Sequence, residues 1–177
     1  MNLVLVGYRG SGKTTVGLLL AERLGYRFLD LDTKITEATG RPIRDVFETE
    51  GEEGFRVHES HALKSIRRLD RHVIALGGGA MDHPDNRVMA RRLGRIVWLR
   101  APAIVLWSRI SGDESSTLNR PDLTPTGGLK EVESILARRE PIYRHAAKHV
   151  VDTVSMKPSE VVDAIELWFQ ADDTEHE

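Results

Sequence analysis

Eight residues near the start of the chain, Gly7-Tyr8-Arg9-Gly10-Ser11-Gly12-Lys13-Thr14, constrain its fold more than any other stretch. They match the pattern G-x-x-x-x-G-K-[ST]. Before them lies the apolar run Leu3 to Val6, and after them Val16, Leu19, Leu20 and Leu24 recur at helical spacing up to Gly25. A strand, a glycine-rich loop and a helix in that order bring backbone N–H groups and a helix N-terminus to one point, which is a cradle for phosphate. Lys13 reaches the outer phosphates and Thr14 can ligate Mg²⁺. The bland alternative is a glycine-rich turn with an incidental lysine. The correct placement between strand and helix favours the cradle, so ATP with Mg²⁺ is the expected donor and the run Gly10, Ser11, Gly12, Lys13, Thr14 and Thr15 its candidate binding residues.

Strand and helix patterns then alternate along the chain. Tyr26 to Leu31 reads as a second strand, Lys34 to Thr39 as a short helix closed by Gly40, and Pro42 to Glu50 as another that ends at Gly51. A longer helix is expected from about Glu52 to Leu69. Val73 to Leu76 is a buried-strand run that opens into Gly77-Gly78-Gly79. A helix near Pro84 to Arg92, a strand over Arg95 to Leu99, a helix from Lys130 to Glu140, a strand from His149 to Asp152 and a helix from Pro158 to Phe169 complete the pattern. Nearly continuous apolar strands alternating with helices imply an α/β fold of three layers: a central, mainly five-stranded parallel sheet covered by helices on both faces. Residues 111–128 hold three glycines, two prolines and several Ser and Thr, and read as a lid loop.

At 177 residues the chain fits one domain, expected to run from residue 2 to about 169, with an acidic tail over 170–177 that should fray. Seven histidines include His58 and His61, but a zinc helix needs ligands at i and i+4, and these stand at i and i+3. With no cysteine, a disulfide scaffold and Cys-ligated zinc are excluded. A net charge of -2 with no basic run beyond pairs such as Arg91-Arg92 leaves no nucleic-acid footprint. Met1 to Val6 has no basic n-region and runs straight into glycines, so neither a signal peptide nor a membrane span is expected and a cytoplasmic location is the default.

Several blocks in order make the chain resemble the shikimate kinases from Leu3 to about Phe169. Beside the phosphate loop these are Phe28-Leu29-Asp30-Leu31-Asp32; Thr39-Gly40-Arg41-Pro42-Ile43 with Phe47, Glu50-Gly51-Glu52 and Phe55-Arg56-x-x-Glu59; Leu76-Gly77-Gly78-Gly79-Ala80; Asn119-Arg120-Pro121; and Arg139-Glu140-Pro141-Ile142-Tyr143. The phosphate loop alone is unspecific, whereas the ordered set is highly specific. The resemblance implies a P-loop kinase, a monomer that moves a phosphoryl group from ATP to the 3-hydroxyl of shikimate, a step toward chorismate and the aromatic amino acids.

Asp30 and Asp32 stand two apart at an expected strand end, so in extended chain both side chains face one side. The resemblance has Asp30 help hold Mg²⁺, through water, and Asp32 bind the acceptor hydroxyl, as a base or as an orienting group. Capping of the next helix is the competing role for this pair. The family binds the shikimate carboxylate with arginines that match Arg56 and Arg139, and a guanidinium fork meets a carboxylate bidentately. Arg138 and Arg144 read as solvated neighbours. Glu59, one turn after Arg56, either orients it or makes an ordinary surface pair. Gly77, Gly78 and Gly79 allow the backbone to approach substrate oxygens. Arg120 resembles the arginine that closes over the transferring phosphate, and Arg109 and Pro158 match the positions that sandwich adenine. After Pro121 the chain departs from the family pattern, reading Asp122-Leu123-Thr124-Pro125-Thr126-Gly127-Gly128.

Two other readings fit the cradle. One is a kinase for another small hydroxylated acceptor such as gluconate, against which the triple glycine and the Phe55-Arg56-x-x-Glu59 block argue. The other is a catalytically silent ATP-binding regulator, against which the intact Lys13, Thr14, Asp30, Asp32 and Arg120 argue.

Overall fold

In the computed structural model, which describes residues 1–112 and 127–174, five short strands form one parallel sheet. The central strand β1 (Asn2–Val6) is buried along its whole length. It pairs on one side with β3 (His72–Ala75) and on the other with β4 (Gly94–Arg100). The edges are β2 (Arg27–Asp30), against β3, and β5 (His149–Asp152), against β4, giving the order β2-β3-β1-β4-β5. The runs richest in apolar residues lie in the middle of the sheet, because a central parallel strand is covered on both faces.

Side chains alternate across β1 and so feed two cores. Leu3 and Leu5 face α1 (Lys13–Leu24) and the last helix, packing with Val16, Leu20, Val162 and Ile165. Val4 and Val6 face the other side, packing with Leu31, Ile35, Val46, Phe55, Leu63 and Tyr143. That layer is built from α2 (Leu31–Thr39), α3 (Ile43–Ser65), α4 (Pro84–Leu93) and α6 (Gly128–Ala146). The three-layer parallel architecture is the one expected from the sequence. A third cluster, with Tyr8, Leu106, Ile110, Val132 and Leu136, joins the phosphate loop to α5 (Ala103–Ser111) and α6.

Several boundaries differ from the sequence pattern. β2 stops at Asp30 and Leu31 already belongs to α2, since the Asp30 carboxylate accepts the Asp32 N–H (3.0 Å) and caps the helix. The helices expected on either side of Gly51 run together as α3, kinked where Gly51 takes φ 69°, and α3 ends at Ser65 rather than Leu69. Helix α5 was not anticipated; Pro102 at its start and buried Leu106 and Ile110 one turn apart are its signals. Helix α6 passes through Pro141 instead of stopping at Glu140, because Tyr143 and Ala146 in its last turns are buried. The final helix, α7 (Pro158–Thr174), continues past Phe169 into the segment expected to fray. Residues 113–126, which carry most of the expected lid and Arg120, lie outside the described residues. Among the described residues no helix is long and apolar enough to cross a membrane.

Asn2, 2% exposed, ties the lower ends of the layers together. Its amide donates to the carbonyls of Leu69 (2.7 Å) and Leu93 (2.8 Å), and its oxygen accepts the His72 N–H (2.9 Å). Truncation leaves three backbone groups without this partner, so Asn2→Ala should cost about 2–4 kcal/mol. Urea unfolding checks this, with a lower midpoint and an unchanged slope expected.

Candidate active site

The loop that leaves β1 turns through Gly7, Gly10 and Gly12, all with positive φ. At Gly7 the need is also steric, because a Cβ would lie 2.6 Å from the Leu99 carbonyl oxygen. Gly12 (φ 92°) forms the N-cap of α1 without any side-chain cap bond, so the first N–H groups of the helix face the loop. Lys13 Nζ lies across the loop, donating to the carbonyls of Gly7 (2.9 Å) and Tyr8 (3.0 Å). Arg9 reaches out of the loop to within 3.7 Å of Glu131 on α6, a carboxylate that is 1% exposed.

Asp30 sits at the carboxyl end of β2, where the parallel register carries it to the loop. Its Oδ2 accepts the Thr14 hydroxyl (3.0 Å) while its Oδ1 caps α2. Burial, reinforced by the neighbouring Asp32, pushes the Asp30 carboxyl above the usual carboxylate range. Asp30, Asp32, Gly77 and Gly78 line one cleft with Arg9, Gly10, Gly12, Lys13, Thr14 and Thr15; its volume is about 730 Å³. The expected convergence of the two aspartates is present, with a different cause. Only Asp30 is extended; Asp32 lies in the first turn of α2 and is held by the cap.

Neither of the two arginines expected at a carboxylate lines this cleft; Arg56 packs directly on the triple-glycine turn and Arg139 lies beside it. Arg56 donates to Glu52 and Glu59 (2.9 Å each), and Glu59 is fully buried. Its guanidinium lies so close to Gly79 that a Cβ there would be 2.2 Å from Nη2. Arg139, 3% exposed, lies over the Tyr8 ring (5.8 Å) with Nη1 3.6 Å from where a Gly78 Cβ would stand. The Tyr143 hydroxyl donates to the Gly78 carbonyl, and burial pushes that hydroxyl well above its ordinary range, keeping it a neutral donor. Arg138 and Arg144 are both exposed, as expected of solvated neighbours, and Arg144 also lies over the Trp98 ring (5.5 Å).

Arg109, in the last turn of α5, donates to the Thr153 carbonyl (2.7 Å) and hydroxyl (3.1 Å) and to the Gly10 carbonyl (3.4 Å). It thereby joins the phosphate loop to the β5–α7 connection, whose far end is Pro158. Arg120 lies outside the described residues. His58 pairs with Glu50 (2.8 Å), and among the described residues no cluster of three His, Asp or Glu could hold a metal. The sequence reading missed Arg9, Tyr8, Thr153 and above all Asp82, whose carboxylate grips Arg139 from 57 positions away (2.8 Å). Only the four-residue spacing of Arg139 and Tyr143 hinted at the grip on the glycine turn.

The family model for shikimate kinase matches residues 9–169. The chain belongs to the shikimate kinase family. It is 40% identical over 164 residues to the shikimate kinase of Rhodopirellula baltica, covering 93% of this chain and 88% of that protein. It is also 40% identical over 163 residues to shikimate kinase 2 of Yersinia enterocolitica, covering 92% of each. Among solved structures, the shikimate kinase from Acinetobacter baumannii in complex with shikimate superposes with a TM-score of 0.90 at 35% identity, covering 97% of this chain and 93% of that one. The enzyme is thus a shikimate kinase, an ATP-dependent phosphotransferase, and the gluconate and silent-regulator readings give way to it.

Because the folded Asp30 carboxyl holds its proton more tightly than an unfolded one, the protein loses stability as pH rises through the carboxylate range. Asparagine keeps both the cap and the Thr14 bond without the charge. Asp30→Asn should therefore melt no lower than wild type at pH 7, with its advantage shrinking toward pH 4 or so; thermal scans at the two pH values check this.

Proposed function

We propose that the enzyme phosphorylates the 3-hydroxyl of shikimate, with the triphosphate of ATP along Gly10 to Thr15 and the acceptor between Asp32, the triple glycine and the two arginines. The observation that supports bringing the donor and the acceptor hydroxyl together is the shared cleft, which the phosphate loop, Asp30, Asp32, Gly77 and Gly78 line and Arg56, Gly79 and Arg139 do not. A donor and an acceptor held in one such space need little further motion to react. Lys13 follows the outer phosphates, and the N-terminus of α1 favours their charge.

Thr14 Oγ1 and the Asp30 carboxylate offer few, hard oxygen donors at the loop mouth, a set that suits Mg²⁺, since this ion keeps several waters. When bound, Mg²⁺ neutralises charge on the phosphate oxygens. Asp32 holds the acceptor hydroxyl in line and can take its proton as the new bond forms. The loose character of phosphoryl transfer makes that orientation its larger contribution. Arg56 and Arg139 bind the carboxylate of shikimate, Glu59 orients Arg56, and the N–H groups of Gly77 to Gly79 meet its other oxygens. Arg120 stabilises charge on the transferring group, and Arg109 with Pro158 encloses the adenine. The same reading makes the chain a single-domain, monomeric, cytoplasmic enzyme.

Purified protein with MgATP should release ADP only when shikimate is present. Turnover with gluconate in its place would overturn the assignment. Arg139→Ala should raise the shikimate KM about 10- to 100-fold, the value of a charge-assisted hydrogen-bonded pair, with the ATP KM within about twofold of wild type. Steady-state kinetics with each substrate varied in turn check this, and a changed ATP KM with an unchanged shikimate KM contradicts it.

A further inference from the structure

We propose that Asp82 is a positioning residue that aims Arg139 at the carboxylate of the substrate; the inference rests on the reading of Arg139 as a carboxylate ligand. A guanidinium has two edges that can grip a carboxylate, one side-on through Nε and Nη2 and one end-on through Nη1 and Nη2. Asp82 occupies the side-on edge. Its Oδ2 accepts from Nε (3.0 Å) and Nη2 (2.8 Å), and its Oδ1 accepts from Nε (3.2 Å). The end-on edge is thereby turned to the triple-glycine turn, with Nη1 3.6 Å from the place of a Gly78 Cβ.

Asp82 also belongs to that turn. It closes the 3-10 helix Ala80–Asp82 that follows Gly79, and its own N–H donates to the Gly79 carbonyl (2.9 Å). One helical turn beyond Arg139, the Tyr143 hydroxyl holds the Gly78 carbonyl. Helix α6 therefore grips the glycine turn at two points, so Arg139 and the turn keep a fixed relation. Packing over Tyr8 fixes the guanidinium plane as well.

Two effects of the Asp82 carboxylate oppose each other. It offsets part of the Arg139 charge, which weakens attraction for a second anion. It also freezes a long side chain in the geometry needed, so less ordering is left to the binding step. The second effect wins for two reasons. Asp82 uses a different edge from the one left to the substrate, so the two carboxylates do not compete for the same N–H groups. And Arg138 Nη2, 4.0 Å from Asp82 Oδ2, restores positive charge beside the pair.

The test is steady-state kinetics on Asp82→Ala, Asp82→Asn, Arg139→Ala and the Asp82→Ala/Arg139→Ala double variant, with thermal melts to confirm folding. Asp82→Ala should raise the shikimate KM about tenfold, the worth of one charge-assisted bond, while kcat and the ATP KM stay within about twofold. Asp82→Asn, which keeps one acceptor, should show a smaller rise, and Asp82→Ala should add nothing once Arg139 is alanine. An unchanged or lowered shikimate KM in Asp82→Ala, with Arg139→Ala still raising it, overturns the positioning role alone. An unchanged shikimate KM in Arg139→Ala overturns the carboxylate reading and this proposal with it. If Asp82→Ala does not fold, Asp82→Asn decides by the same signs.

Discussion

Parallel pairing of the five strands is the constraint on which the site depends. It sends every strand in one direction, so the phosphate loop after β1, Asp30 at the end of β2 and the triple glycine after β3 emerge along the same edge of the sheet. Register then brings them together. Leu5 stands opposite Ala75, and Ala75 opposite Asp30, so the three strands end at nearly one level. A slip of one residue would exchange the faces of Leu3, Val4, Leu5 and Val6 and disperse the site with the core.

Charge placed in such a setting must be held by other charge. Around the glycine turn Arg56 meets Glu52 and Glu59, Arg139 meets Asp82, and Arg9 approaches Glu131; Glu59, Glu131 and Arg139 are almost wholly buried. Pairs of this kind add little net stability, because desolvation opposes their attraction. What they supply is geometry. An arginine tied along one edge, as Arg139 is by Asp82, retains the other for a ligand at small entropic cost, which suits the carboxylate-binding role proposed for it. Asp30 shows the same tension in a single group, since burial and Asp32 hold its carboxyl above the usual range at the place where a cation would relieve both.

Much of this was legible in order along the chain. The Gly7 to Thr14 pattern, the apolar runs and the triple glycine are local, because a strand is read from consecutive residues and a phosphate loop from eight. Boundaries were less legible where two local rules compete. Asp30 both ends a strand and caps a helix, and the cap won, which moved Leu31 and Asp32 into α2. At Pro141 the opposite happened, and the burial of Tyr143 carried the helix past a residue that ordinarily stops it. Helix α5 is hard to read because it spans only nine residues and its apolar stretch, Ala103 to Trp107, is continuous rather than periodic.

From its own residues the chain determined a parallel α/β fold, a phosphate cradle and the blocks that place it among the shikimate kinases, since each of these is a short-range pattern of glycine, charge and apolar spacing. Tertiary structure alone decided which partners the charges take. Asp82 and Arg139 stand 57 positions apart, Thr153 and Arg109 44, and no spacing rule connects residues on separate elements. Such pairs exist only once the sheet has set the elements side by side, and at Arg139 they decide which edge of the guanidinium Asp82 holds.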